Sequence, residues 1–124
     1  MKLHPDKLDA ASITGYGPGW IGLNGERITR SVVLSSRGQR FEWQCDSFSD
    51  LTQSHFAQLA GLDAELVLFG SGKRLRFPQP AWLAALMARR IGLETMYTEA
   101  ACRTFNILAG EGRNVVAALL LESP

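Results

Sequence analysis

Two strand-helix-strand patterns follow one another between residues 65 and 121, and no other feature of the chain restricts its fold as strongly. "ELVLFG" is a continuous apolar run, "PAWLAALMARR" is a helical pattern opened by Pro80, and "GLETMY" is a second strand. "TEAACRTFNILAG" then reads as a helix capped by Thr98 in front and Gly110 behind, and "NVVAALLL" as the third strand. Successive units of this kind imply parallel strands joined by right-handed crossovers. Wholly apolar strands, such as the first and third here, are covered on both faces. The expectation is a layered α/β domain with a parallel βαβαβ portion.

Before residue 65 the pattern is antiparallel. "SITGYGPGWIGLNGERITRSVVLSS" alternates large apolar residues with Gly and polar ones, and Asn24-Gly25 marks a two-residue hairpin. Such a turn needs positive φ at both central positions, which Asn and Gly tolerate. "SVVLSS" and "RFEWQ" are two further strands with a turn at Gly38. "SFSDLTQSHFAQLAGL" changes to a helical period, with Ser49 or Asp50 as the cap and Gly61 as the stop.

The 124 residues, 46% of them hydrophobic, suit one globular domain at 12–124 behind a polar, flexible arm at 1–11. A formal net charge of +1 gives no field that would draw nucleic acid. The amino-terminal dozen residues lack a signal-peptide core, and no run approaches the ~18 apolar residues that span a bilayer. A cytoplasmic protein without membrane insertion is expected. Cys45 and Cys102 are too few and too far apart for a disulfide framework, so both are read as reduced thiols.

Chemistry-bearing residues are sparse. "FGSGKRLRFPQP" follows a buried strand, yet no Lys-Ser/Thr pair opens a helix there as a nucleotide-binding loop requires. The glycines are read as a tight turn, leaving a weak anion site made by Gly70, Ser71, Gly72, Lys73 and Arg74. In open α/β sheets ligands sit beyond the carboxyl ends of parallel strands, which adds Thr98 at the next helix start. Glu99 in that first turn opposes an anion. Glu94 shares a strand face with Met96. Either it sits near a strand end and reaches solvent or an arginine, as charged residues commonly do, or it is an inward carboxylate that must be paired or raised in pKa, which makes it a candidate ligand-binding group.

On the Thr98 helix, Ala101, Phe105 and Leu108 form one face while Glu99, Arg103 and Asn106 cluster on another. That polar cluster is a solvated face or a recognition face for a protein partner. Trp82 belongs to a helix over 81–90 that is apolar around most of its circumference, so self-association through it is expected. The remaining large aromatics, Tyr16, Trp20, Phe41, Trp43 and Phe77, are read as core or layer packing. The two histidines, His4 and His55, fit no zinc spacing, Cys102 has no nearby histidine to activate it, and no Gly-x-Ser-x-Gly elbow occurs. No catalytic residue, metal or cofactor is expected.

"ITGYGPGWIGLNGERI", "LVLFGSGKRLRFP" and "GLETMYTEAACRTFNILAGEGRNVVAALL" together resemble one known family. It is the small domain of unknown function shared by the mitochondrial NADH:ubiquinone oxidoreductase complex assembly factor 3 and an adipogenesis-associated protein. The resemblance covers residues 12–121, and its most specific run includes Met96, Thr98, Cys102, Asn106, Arg113 and Ala118. It implies a single-domain three-layer fold with a mixed sheet, and no catalytic residues to carry over. By analogy with the mitochondrial member it suggests a non-enzymatic binding or assembly-type protein. The alternative reading is a small-anion or small-ligand-binding protein with weak enzymatic activity at most.

Overall fold

A computed structural model describes residues 13–122; the arm expected at 1–11 lies outside the described residues. Strands β1 (Ile13–Gly17), β2 (Trp20–Leu23) and β3 (Glu26–Ile28) form a small antiparallel sheet. A second sheet is built from β4 (Val32–Ser35), β5 (Arg40–Glu42), β6 (Leu66–Gly70), β7 (Gly92–Met96) and β8 (Val115–Leu119), in the order β5-β4-β8-β6-β7. The helices are α1 (Gln53–Ala60), α2 (Ala84–Ala88) and α3 (Thr98–Gly110).

Both expected turns occur. Asn24 and Gly25 have φ of 52° and 83° between β2 and β3, and Gly38 turns β4 into β5 with φ of 95°. In the larger sheet β6 runs parallel to both β7 and β8, while β4 pairs antiparallel with β8 and β5. The sheet is therefore mixed. Every residue of β8 is buried, because that strand has neighbours on both edges and layers on both faces.

Alternation along the strands divides the core in two. Val67, Phe69, Val116 and Ala118 face a cluster with Trp43, Phe56, Leu59 and Leu86. Leu68, Ala117 and Leu119 face the other way, toward Ala101, Cys102 and Phe105 of α3 and Ile21 and Leu23 of the small sheet. The result is three layers with the five-stranded sheet in the middle.

Several local expectations are corrected. The pattern "PAWLAALMARR" does not make one helix: Pro80–Leu83 is a 3-10 turn and only Ala84–Ala88 is α-helical. Trp82 stacks on Phe56 at 5.7 Å and also meets Phe48 at 6.1 Å, and these contacts hold the segment in the tighter turn. The cap of α1 is Thr52 rather than Ser49 or Asp50, and Nδ1 of His55 accepts the Thr52 N–H at 3.1 Å. Asp50 instead accepts the amides of Asp46 and Ser47, at 3.0 and 3.2 Å, around a preceding 3-10 turn. Thr98 is the first residue inside α3, not its cap, and the positive φ beyond that helix belongs to Gly112 rather than Gly110. Both cysteines are buried and unpaired, as expected.

Candidate functional site

The carboxyl ends of three strands meet at one level. Gly70 pairs in register with Met96 on one side and Leu119 on the other. Beyond that level the Ser71 N–H donates to the Met96 carbonyl and the Thr98 N–H to the Gly72 carbonyl, each at 2.9 Å. The Thr98 hydroxyl accepts the Gly72 N–H and donates to the Leu120 carbonyl, both at 2.8 Å. One buried side chain thus ties together the extensions of β6 and β8 and the start of α3. Gly70 allows the close approach beneath it, since a Cβ there would stand a tight 3.0 Å from the Thr98 Cα. Gly72 takes a φ of +99°, the left-handed turn anticipated for the Gly-Ser-Gly loop.

Above these knotted strand ends lies a crevice of about 330 Å³. Gly72, Thr98, Leu120 and Leu121 come from the strand ends, and Tyr97 and Glu99 from the start of α3. The opposite wall is the β1–β2 hairpin, with Tyr16 and Trp20 on either side of the Gly17-Pro18-Gly19 turn. A Cβ on Gly17 would fall 2.9 Å from Cε2 of Trp20, so the glycine lets the indole fold back over the turn. Lys73 and Glu122 border both this crevice and a neighbouring depression that contains Asp46, Ser47, Arg74 and Arg76.

Arg76 and Glu122 neutralise one another in a half-buried pair at 2.6 Å. The same guanidinium donates to the Ser71 carbonyl at 2.8 Å and covers the Phe48 ring at 4.8 Å. The second oxygen of Glu122 accepts the Phe48 N–H at 3.2 Å. The Ser71 hydroxyl donates to the Arg74 carbonyl at 2.6 Å and accepts the Arg76 N–H at 3.0 Å. These groups shape the loop, whereas the side chains of Lys73 and Arg74 form no ion pair among the described residues.

Of the residues singled out in the sequence, Gly72, Lys73, Thr98 and Glu99 line the crevice, and Arg74 lies in the adjoining depression. Gly70 and Ser71 are buried below. The amides of Ser71, Gly72 and Thr98, which an anion would have needed, are all bonded within the fold. Glu94 is not an inward carboxylate: β7 is an edge strand, and the side chain is exposed there, outside the crevice lining.

The polar face of α3 is solvent-accessible, but two of its side chains have partners in the fold. Asn106 accepts the Ile13 N–H at 2.9 Å and donates to the Ile13 carbonyl at 2.7 Å, standing in for a strand neighbour. Arg103 forms no ion pair with Glu99 among the described residues and donates to the phenol oxygens of Tyr16 and Tyr97 at 3.1 and 3.2 Å. Its guanidinium pKa is raised further by those two phenols. Arg103 and Asn106 therefore hold the hairpin wall against α3. Trp82 lies on the opposite side of the sheet, half-buried, while Met87 of α2 is 69% exposed.

Tyr16, Trp20, Tyr97, Leu120, Leu121 and Glu122 are lining residues that the sequence reading did not select. The signal for the first two was "GYGPGW", in which a Gly-Pro-Gly turn brings two flanking aromatics to one place. The thiol of Cys102, in the core under α3, is pushed up to about 12, mainly by burial. His55 is committed elsewhere, with Nε2 2.7 Å from the Gln44 carbonyl. Among the described residues no group of His, Cys, Asp and Glu is placed to hold a metal ion, and no helix is long and apolar enough to cross a membrane.

Residues 13–120 match the family model described as "Protein of unknown function (DUF498/DUF598)". The chain is 34% identical over 113 residues to the NADH dehydrogenase [ubiquinone] 1 alpha subcomplex assembly factor 3 of Bos taurus, a match covering 90% of this chain and 61% of the relative. It therefore spans about three fifths of that relative's length. A crystal structure of a Bordetella parapertussis protein superposes with a TM-score of 0.83 at 38% identity, covering 90% of this chain and 95% of that one. A solution structure of a Bordetella pertussis protein, a Mth938-like domain, gives 0.82 at 33% identity, covering 99% and 94%.

Proposed function

We propose that this chain, which belongs to the DUF498/DUF598 family of proteins of unknown function, is a non-enzymatic, assembly-type binding protein that works in the cytoplasm. The observation that carries the reading is how the crevice spends its polar groups. The Ser71, Gly72 and Thr98 amides and the Thr98 hydroxyl are all bonded within the fold, while Tyr16, Tyr97 and Leu120 present rings and aliphatic surface. Walls of that kind favour association with an apolar group over acid-base chemistry. The name of the bovine relative, an assembly factor, supports the same reading and extends it to the assembly of a respiratory complex.

Chemical crosslinking in the native host, followed by affinity purification and mass spectrometry, tests this directly. The reading expects the same protein partner in independent preparations, and repeated recovery of the chain alone defeats it. A second reading, a small-ligand site, is favoured by one observation: about 330 Å³ lies within the usual range for such sites. Saturable binding of a metabolite with no effect on partner recovery would support that reading instead.

A further inference from the structure

The crevice and the depression beside it share Lys73 and Glu122 and so form one continuous surface that changes in character along its length. At one end the rings of Tyr16 and Tyr97, bridged through their hydroxyls by Arg103, stand beside the aliphatic surface of Leu120 and Leu121. At the other, Arg76 and Glu122 cancel, while Lys73 and Arg74 are exposed and without ion-pair partners among the described residues. Asp46 opposes them, which leaves the depression net positive. Glu99 lies among the crevice residues, and the exposed Arg103 guanidinium on the Tyr16 and Tyr97 hydroxyls offsets its charge at that end.

We propose that this surface binds an extended acidic segment of a protein partner. One large apolar side chain of the segment sits between Tyr16, Tyr97 and Leu121, and carboxylates on one flank of that side chain lie toward Lys73 and Arg74. The proposal rests on the binding-protein reading above and names the chemistry of what is bound. About 330 Å³ is at the lower end of the range for whole small-ligand sites, roughly 300–1,000 Å³, and suits a single anchor side chain. Aromatic walls supply contact area at little conformational cost, as binding hot spots do. The charges supply direction: the acidic flank is attracted at the Lys73 end, whereas Glu99 and Arg103 offset one another at the other, so the segment lies one way round.

The test uses three blocked hexapeptides and the whole protein, followed by amide chemical shifts. The first peptide carries one phenylalanine followed by three aspartates, the second replaces the aspartates with lysines, and the third replaces the phenylalanine with alanine. The first is expected to saturate, with shifts at Gly17, Trp20, Gly72 and Lys73, and to bind at least about tenfold more tightly than either of the others. The double variant Lys73→Glu/Arg74→Glu, whose side chains are exposed, is expected to weaken the first peptide by about tenfold or more and to strengthen the second. Equal binding of the three peptides, shifts mapping elsewhere, or a double variant with unchanged preference overturns the proposal. Phosphatidylglycerol vesicles that bind through Lys73 and Arg74 when the first peptide does not would make a lipid surface the occupant, and also overturn it. Partner recovery separates the two readings. A partner captured equally by wild type and double variant sinks the crevice proposal alone, whereas peptide binding with no partner recovered by wild type sinks the assembly role alone.

Discussion

Replacing Thr98 by Val keeps the β-branched shape and the helix start but removes the hydroxyl that joins Gly72 to Leu120. Thr98 is buried at 7% exposure and both of its hydrogen bonds are 2.8 Å long. The Gly72 N–H loses its partner inside the protein, which costs about 1–3 kcal/mol, and the bond to the Leu120 carbonyl is worth about 0.5–1.5 kcal/mol more. The added methyl returns less than about 1 kcal/mol, so a net loss of about 1–3 kcal/mol is expected. Urea unfolding should show the midpoint falling by about 1–2 M with an unchanged slope, given slopes of about 1–3 kcal/mol/M for small domains. Thr98→Ser is the control: it keeps the hydroxyl, deletes one buried methyl and should cost about 0.5–1.5 kcal/mol. Hydrogen exchange adds a local reading, because the Gly72 amide should lose protection in the Val variant and keep it in the Ser variant. If Val is no more destabilising than Ser, or the Gly72 amide stays equally protected in both, the hydroxyl is not what ties the strand ends together.

Asn106→Asp removes the donor to the Ile13 carbonyl and sets a carboxylate against it; a loss of about 1–3 kcal/mol and faster exchange at the Ile13 amide are expected. Alkaline conditions should destabilise the fold through its thiols. Burial raises Cys45 to about 11 and Cys102 to about 12 from an ordinary 9.0. Above pH 9 the unfolded chain releases these protons and the folded chain does not, so this contribution, fully present below pH 9, declines as pH rises toward the folded values. Cys102→Ala should show a shallower decline in urea midpoint between about pH 9 and 10.5, and an identical slope would contradict this account. Trp82→Ala should cost about 2–4 kcal/mol, because it empties a half-buried stacking position, while Met87→Asp, at an exposed site, should leave stability within about 0.5 kcal/mol. Sedimentation at several concentrations then tests self-association: a dimer lost only in Met87→Asp places it on the outer side of α2, and monomers throughout exclude it.

The strand-helix-strand repeat was legible because its apolar runs and helical spacing are local properties, and both glycine-containing turns were legible because φ is a local demand. The crevice was only half legible. Gly72, Lys73, Thr98 and Glu99 could be placed at parallel strand ends from topology alone. Tyr16 and Trp20 could not, since the docking of their hairpin depends on Asn106 and Arg103, some ninety residues further along. Thr98 was given a cap's role because cap residues look alike in sequence, yet its hydroxyl is drawn to Gly72 and Leu120 by register. Glu94 stays open between an exposed and an inward place in the sequence, because an alternating pattern does not say that β7 is an edge; the strand order decides for the exposed one. The helical count around 81–90 points Trp82 toward self-association only because it overlooks a 3-10 turn at Pro80–Leu83 that Pro80 alone does not announce.

β8 is the last strand of the described chain and lies in the middle of its sheet, between β4 and β6. During synthesis the chain therefore makes β4 and β6 long before the strand that separates them. Until Val115–Leu119 arrive, each of those strands presents an unpaired apolar edge. The pairing that completes the sheet joins β8 to β4 across some eighty residues, a non-local closure of the kind that slows folding and prolongs exposure to other chains. The strand ends that carry the crevice come into being in the same event, because Gly70 finds Leu119, and Thr98 finds Leu120, only when β8 inserts. A nascent chain stalled before Val115 would thus display hydrophobic edges and no crevice, and a finished one acquires both its closed sheet and its crevice in a single step.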